Sequence, residues 1–92
     1  MSTRAEARVR IANARGLHAR AAAKLSETAR PFHARITVSK DGTTVGAGSL
    51  MALLMLGAGI GSEVTIAAEG DDADDAVAAI KALIEAKFHE DA

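Results

Sequence analysis

Cysteine is absent from this chain, as are tryptophan and tyrosine, and there is a single proline. Without cysteine there is no disulfide, no thiolate zinc site and no thiol nucleophile. A fold that does without disulfides suits a reducing cytoplasm. The only aromatics are Phe32 and Phe88, too few for a platform on which bases could stack. Neither sign of charge dominates: 11 Lys and Arg stand against 12 Asp and Glu, so the concentrated positive surface that nucleic acid requires is missing. The N-terminal residues lack the apolar run of a signal peptide. The longest apolar stretch, Leu50 to Ile60, is interrupted by glycines and is too short to span a bilayer. These absences predict a cytoplasmic protein that engages neither nucleic acid nor membrane.

What is present is enough for a core. Of the 92 residues, 49% are hydrophobic, too many for a disordered chain. Many of them are alanine, which predicts a thin, closely packed core. The length predicts one domain over residues 1–92, with two layers.

Periodicity gives the elements. Arg8-Val9-Arg10-Ile11 alternates as a half-buried strand does. From His18 to about Arg30 the chain is rich in Ala, Lys, Leu and Glu, good helix formers, with Ala22, Leu25 and Ala29 on one face. Pro31 closes that helix. Ala34, Ile36 and Val38 alternate with polar residues in a second strand, and Asp41-Gly42 is a hairpin turn leading to a short third strand, Thr43 to Gly46. Ser49 caps a short helix, Leu50 to Leu56, which Gly57 ends. Val64, Ile66 and Ala68 mark a fourth strand. An acidic cluster (Asp71, Asp72, Asp74, Asp75) opens a last helix, where carboxylates favour the positive end of the helix dipole. Its buried stripe is Val77, Ile80 and Ile84, with Leu83 beside it. The order is β-α-β-β-α-β-α. Because every strand alternates, the fold expected is α+β: a four-stranded antiparallel sheet with three helices on one face and the other face wet.

The three histidines differ in setting. His89 sits in a frayed, solvated end. His33, in "FHAR", is preceded by Pro31 and followed by a strand, so it is a residue leading into extended chain. His18, in "GLHAR", stands at the start of a helix, where Ser, Thr, Asp or Asn would be the usual cap. The N–H groups of the first turn, around Ala19 and Arg20, lack helical partners, and with the dipole they favour an anion. Arg20 adds a planar guanidinium suited to phosphate oxygens. The dipole disfavours imidazolium, so a neutral ring keeps a nucleophilic lone pair. Such a site can take a phosphoryl group and pass it on. It can also simply hold an anion: a regulatory domain binding an anionic metabolite at His18 and Gly57 to Gly61 is the alternative. A metal hydrolase is disfavoured, because no His or carboxylate stands near His18 at ligand spacing. No metal or cofactor is expected.

"GLHAR" followed by an Ala/Lys-rich helix resembles the active-site segment of the HPr phosphocarrier family of the bacterial phosphotransferase system. "GSLMALLMLGAGIGSEVTIAAEG", residues 48 to 70, is similar to that family's second signature. The two signatures lie in the right order in a chain of the right length. The resemblance implies an open-faced β-sandwich and a monomeric carrier that is not itself an enzyme. Such a carrier takes phosphate from phosphorylated enzyme I and hands it to an enzyme IIA, in sugar uptake or in a regulatory nitrogen branch. It implies phosphorylation of His18 on Nδ1, contact of Arg20 with the phosphoryl group, and regulation at Ser49 by HPr kinase/phosphorylase. It implies that Leu50, Met51, Leu53 and Leu54, more apolar residues than one buried face needs, include a docking patch. Two positions depart from the pattern. Ala21 stands where the family usually has proline, and Gly48 where a basic residue often precedes the serine.

Overall fold

The alternation that marks the first strand extends further back than four residues. In the computed structural model, which describes residues 3–92, β1 runs over Arg4–Arg10. Ala5 and Ala7 carry the inward face towards Val9, but alanine is a weak hydrophobic signal and the pattern there is visible only with the partner strand in place. The remaining elements are α1 (Ala19–Ala29), β2 (Arg35–Lys40), β3 (Thr43–Gly46), α2 (Leu50–Met55), β4 (Glu63–Glu69) and α3 (Ala73–Glu85). The order is the one expected.

The strands form one sheet in the order β1-β4-β2-β3, with every pairing antiparallel. Register places like faces opposite one another: Val9 pairs with Val64, and Val38 with Ile66. These side chains point towards the helices and are buried. Arg4, Glu6, Arg8 and Arg10 on β1 point the other way and are exposed. Asp41 and Gly42 both have positive φ, the backbone a tight hairpin demands.

The helical layer is held by Leu25 on α1, Leu53 on α2, and Val77, Ile80, Leu83 and Ile84 on α3. Each large aliphatic side chain fully buried there contributes about 1.5–3 kcal/mol. Small residues do the rest: Ala21, Ala22, Ala73 and Ala76 are all buried, letting the helices lie close to the sheet. Leu17, buried just before α1, anchors the chain where it enters that helix.

Three expectations need correction. Leu53 is fully buried and belongs to the core, not to a docking patch; on so short a helix it occupies the single inward position. The acidic cluster divides its labour. Asp74 and Asp75 lie in the first turn of α3, but Asp72, the N-cap residue, makes no side-chain cap. Its carboxylate instead accepts from the backbone N–H groups of His33 and Ala34, at 2.8 and 2.7 Å, so it ties the start of α3 to the start of β2. The chain after α3 is not frayed. Lys87, Phe88 and His89 all have positive φ and form one left-handed turn, and Phe88 is fully buried. Left-handed backbone costs about 1–2 kcal/mol per residue outside glycine, which burial of the phenyl ring offsets.

Candidate functional site

The loop before α1 determines where His18 stands. Gly16 has φ +66°, and a Cβ there would lie 2.6 Å from the Ala58 carbonyl oxygen and 2.7 Å from the Gly59 Cα. Only glycine permits both the conformation and the approach. Leu17 N–H then donates to that same Ala58 oxygen at 2.8 Å. The segment carrying His18 is thus pinned to the loop that follows α2.

His18 is the N-cap residue of α1, with extended backbone, and its side chain makes no cap. Its carbonyl accepts from Ala22 N–H at 2.8 Å, which starts the helix. The imidazole is half-buried. The backbone N–H groups of Ala19 and Arg20 precede the first helical hydrogen bond and have no partner within the helix. Arg20 is exposed and takes part in no ion pair among the described residues. A cleft of about 490 Å³ includes Arg20 in its lining, with Arg15, Lys24, His89, Glu90 and Asp91. Its lining sets the cations Arg15, Arg20 and Lys24 against the carboxylates of Glu90 and Asp91, and the helix start at His18 and Ala19 lies outside that lining.

The residue that sequence reasoning missed is Glu90. Its Oε2 lies 2.5 Å from His18 Nε2, and its Oε1 accepts from Asn13 Nδ2 at 2.9 Å. Asn13 is fully buried and also donates to the Gly16 carbonyl at 2.8 Å. The hydrogen bond to His18, and then that from Asn13, hold the Glu90 carboxyl below the ordinary glutamate range. A carboxylate does therefore stand beside His18, contrary to expectation. It is 72 positions away in sequence, so no local spacing reveals it. The described residues contain no cluster of three or more potential metal ligands.

Ser49 is the N-cap of α2 as expected: its Oγ accepts from Ala52 N–H at 3.3 Å, and the residue is exposed. Of the apolar residues named for docking, Leu50 and Met51 are exposed at 40% and 67%, and Leu54 is partly buried. Sequence reasoning did not single out Met55 and Ile60, exposed at 82% and 62%. His33 is exposed at the start of β2 and His89 is exposed on the left-handed turn.

A half-buried histidine at a helix N-terminus, beside cations on a small open-faced sandwich, defines a carrier of phosphoryl groups. The family model described as "PTS HPr component phosphorylation site" matches residues 5–86. The phosphocarrier protein NPr of Shewanella violacea is 47% identical over 88 residues, 96% of this chain and 97% of that protein. The phosphocarrier protein HPr of Cupriavidus necator is 46% identical over 80 residues, 87% of this chain and 90% of that protein. Among solved structures, HPr-C-His from Thermoanaerobacter tengcongensis superposes with a TM-score of 0.92 at 43% identity, covering 96% of this chain and 99% of that one. HPr from Bacillus anthracis gives 0.85 at 41% identity, over 89% and 98%. This chain belongs to the HPr/NPr phosphocarrier family of the phosphotransferase system. It is a carrier of phosphoryl on histidine and not an enzyme. Membership implies the partners of that system, enzyme I and enzyme IIA. No helix of the described residues is long and apolar enough to cross a membrane.

Proposed function

We propose that His18 is the histidine that carries the phosphoryl group, taken from phosphorylated enzyme I and passed to an enzyme IIA, by a cytoplasmic monomer whose residues 1–92 act as one domain. The observation that carries this reading is the position of His18 on the first N–H groups of α1, beside an Arg20 that has no ion-pair partner among the described residues. His33 and His89 have no such helix start. The phosphoryl group bears its charge on three oxygens, and the Ala19 and Arg20 N–H groups with the Arg20 guanidinium would bind them. Those donors act more strongly on the spread charge of the group in flight than on either resting partner.

Docking is assigned to the exposed Leu50, Met51 and Met55 with the partly buried Leu54, an apolar strip in which methionine adapts to more than one partner. Ser49 opens that strip, so phosphorylation by HPr kinase/phosphorylase would place charge at its edge. Incubation with phosphoenolpyruvate and enzyme I tests the central assignment. His18→Ala is expected to gain no acid-labile phosphate while His33→Ala gains it in full; phosphate on His33 of the intact protein would reject the assignment.

A further inference from the structure

We infer that Glu90, braced by Asn13, is a positioning residue that fixes the His18 ring with its proton on Nε2 and so sets how strongly His18 holds its phosphoryl group. This rests on the assignment of His18 above.

The geometry is a chain of contacts. The carboxylate has two oxygens, and each has one partner: Oε1 accepts from Asn13 Nδ2, and Oε2 meets His18 Nε2. A carboxylate only accepts, so Nε2 carries the proton and the lone pair of the neutral ring is on Nδ1. A carboxylate that accepts from the free ring N–H fixes the tautomer of a metal-binding histidine in the same way. The other ends are anchored. Asn13 is immobilised by burial and by its bond to Gly16 O. Glu90 is delivered by the left-handed turn, which Phe88 pins into the core, and Lys24 Nζ donates to the Phe88 carbonyl at 2.6 Å. Beyond Glu90, Ala14 N–H donates to the Ala92 carbonyl at 3.0 Å. The left-handed turn, held by the buried Phe88, aims one carboxylate at one ring nitrogen.

The consequence lies in the charge of the product. In transfer, the Nδ1 lone pair forms the new N–P bond as the bond from phosphorus to the donor breaks, and that bonding pair returns to the donor. The proton on Nε2 does not move. The ring therefore leaves the step as an N-phosphorylated imidazolium, and its positive charge faces the Glu90 carboxylate. Glu90 stabilises that product more than the neutral ring, which raises the affinity of His18 for phosphoryl. The other charged or titratable groups on this cleft are Arg15, Arg20, Lys24, His89 and Asp91. Lys24 also favours the ionised Glu90, so the carboxylate is charged at neutral pH.

Two measurements on the full chain test this. In ¹⁵N-labelled wild type, long-range ¹H–¹⁵N spectra are expected to show the proton of neutral His18 on Nε2, and after phosphorylation the phosphorus on Nδ1. In the second, equal amounts of wild type and Glu90→Gln share a limiting pool of phosphate, equilibrated by a trace of enzyme I. Phosphate is expected to favour wild type about tenfold, the effect of one charge-assisted hydrogen bond, and Glu90→Gln is expected to show a mixed tautomer. Equal partition with an unchanged tautomer would overturn the inference, as would a wild-type proton on Nδ1 or phosphorus on Nε2, which need no variant to observe. Phosphate absent from His18 in wild type would instead reject the assignment of His18, and the tautomer would then report on Glu90 by itself.

Discussion

Gly16 and Arg20 flank His18 and act on it by opposite means. Gly16 acts through backbone alone. Gly16→Ala introduces left-handed strain and a Cβ lodged against the Ala58 carbonyl, so it is expected to destabilise by about 1–3 kcal/mol. Because the same contact seats the His18 segment, phosphoryl acceptance should fall as well, even in the fraction that remains folded. Thermal melts paired with an acceptance assay at a temperature where the variant is folded separate the two losses. Arg20 acts through charge. It is exposed and has no ion-pair partner among the described residues, so Arg20→Ala should leave the melting temperature almost unchanged and slow transfer from enzyme I by roughly a hundred- to a thousandfold, the range for one lost oxyanion donor. Arg20→Lys should recover part, since it keeps the charge without the planar fork. Full transfer activity in Arg20→Ala would remove the residue from the site. That His18 and Arg20 stand at a helix start is legible in sequence because a helix start is a local event: a turn, a glycine and a run of helix formers announce it. Glu90 is not, because its partner is brought to it by the whole fold.

At the scale of elements, α2 separates two roles that its sequence blends. Leu53 is core while Leu50, Met51 and Met55 are exposed, and six residues of Leu, Met and Ala offer no polar marker to tell one face from the other. Only the direction from which α1 packs decides it. Ser49 is a cap in either case. A negative charge at a helix N-terminus is neutral or slightly stabilising, by about 0.3–1 kcal/mol, so Ser49→Asp is expected to melt at or slightly above the wild-type temperature. It should bind enzyme I more weakly, because a carboxylate at the edge of the apolar strip must be desolvated on docking. Calorimetric titration alongside melts checks both halves; unchanged affinity would leave Ser49 as a cap alone. The turn after α3 was invisible for a different reason. Nothing in Lys-Phe-His signals left-handed backbone, which glycine or asparagine usually supplies, and the conformation exists only because the core accepts Phe88. Phe88→Ala should therefore cost about 3–5 kcal/mol and release Glu90 from His18 together with the strain.

Across the whole molecule, two carboxylates close the fold where the sequence offers only surface charge. Asp72 joins the start of α3 to the start of β2, and Glu90 joins the chain after α3 to the loop and helix start at Asn13 and His18. Both are held below their ordinary values: Asp72 first by the His33 N–H and then by the Ala34 N–H, Glu90 first by His18 and then by Asn13. A carboxyl whose folded value is depressed adds stability that is complete above its unfolded value and is lost as pH falls through the folded one. The melting temperature of wild type should therefore drop steeply below about pH 4. Asp72→Asn and Glu90→Gln should melt lower than wild type at neutral pH, and the gap should close on acidification, because the wild-type carboxyls then become neutral too. The two sites share no partners and tie different segments, so their effects should add in the double variant. Melts of the four proteins across that range provide the check. A gap that stays constant with pH would mean that the side chains act by packing and not by charge. A gap that closes for Asp72→Asn alone would mean that the Glu90 carboxylate is not engaged with His18 in the free carrier.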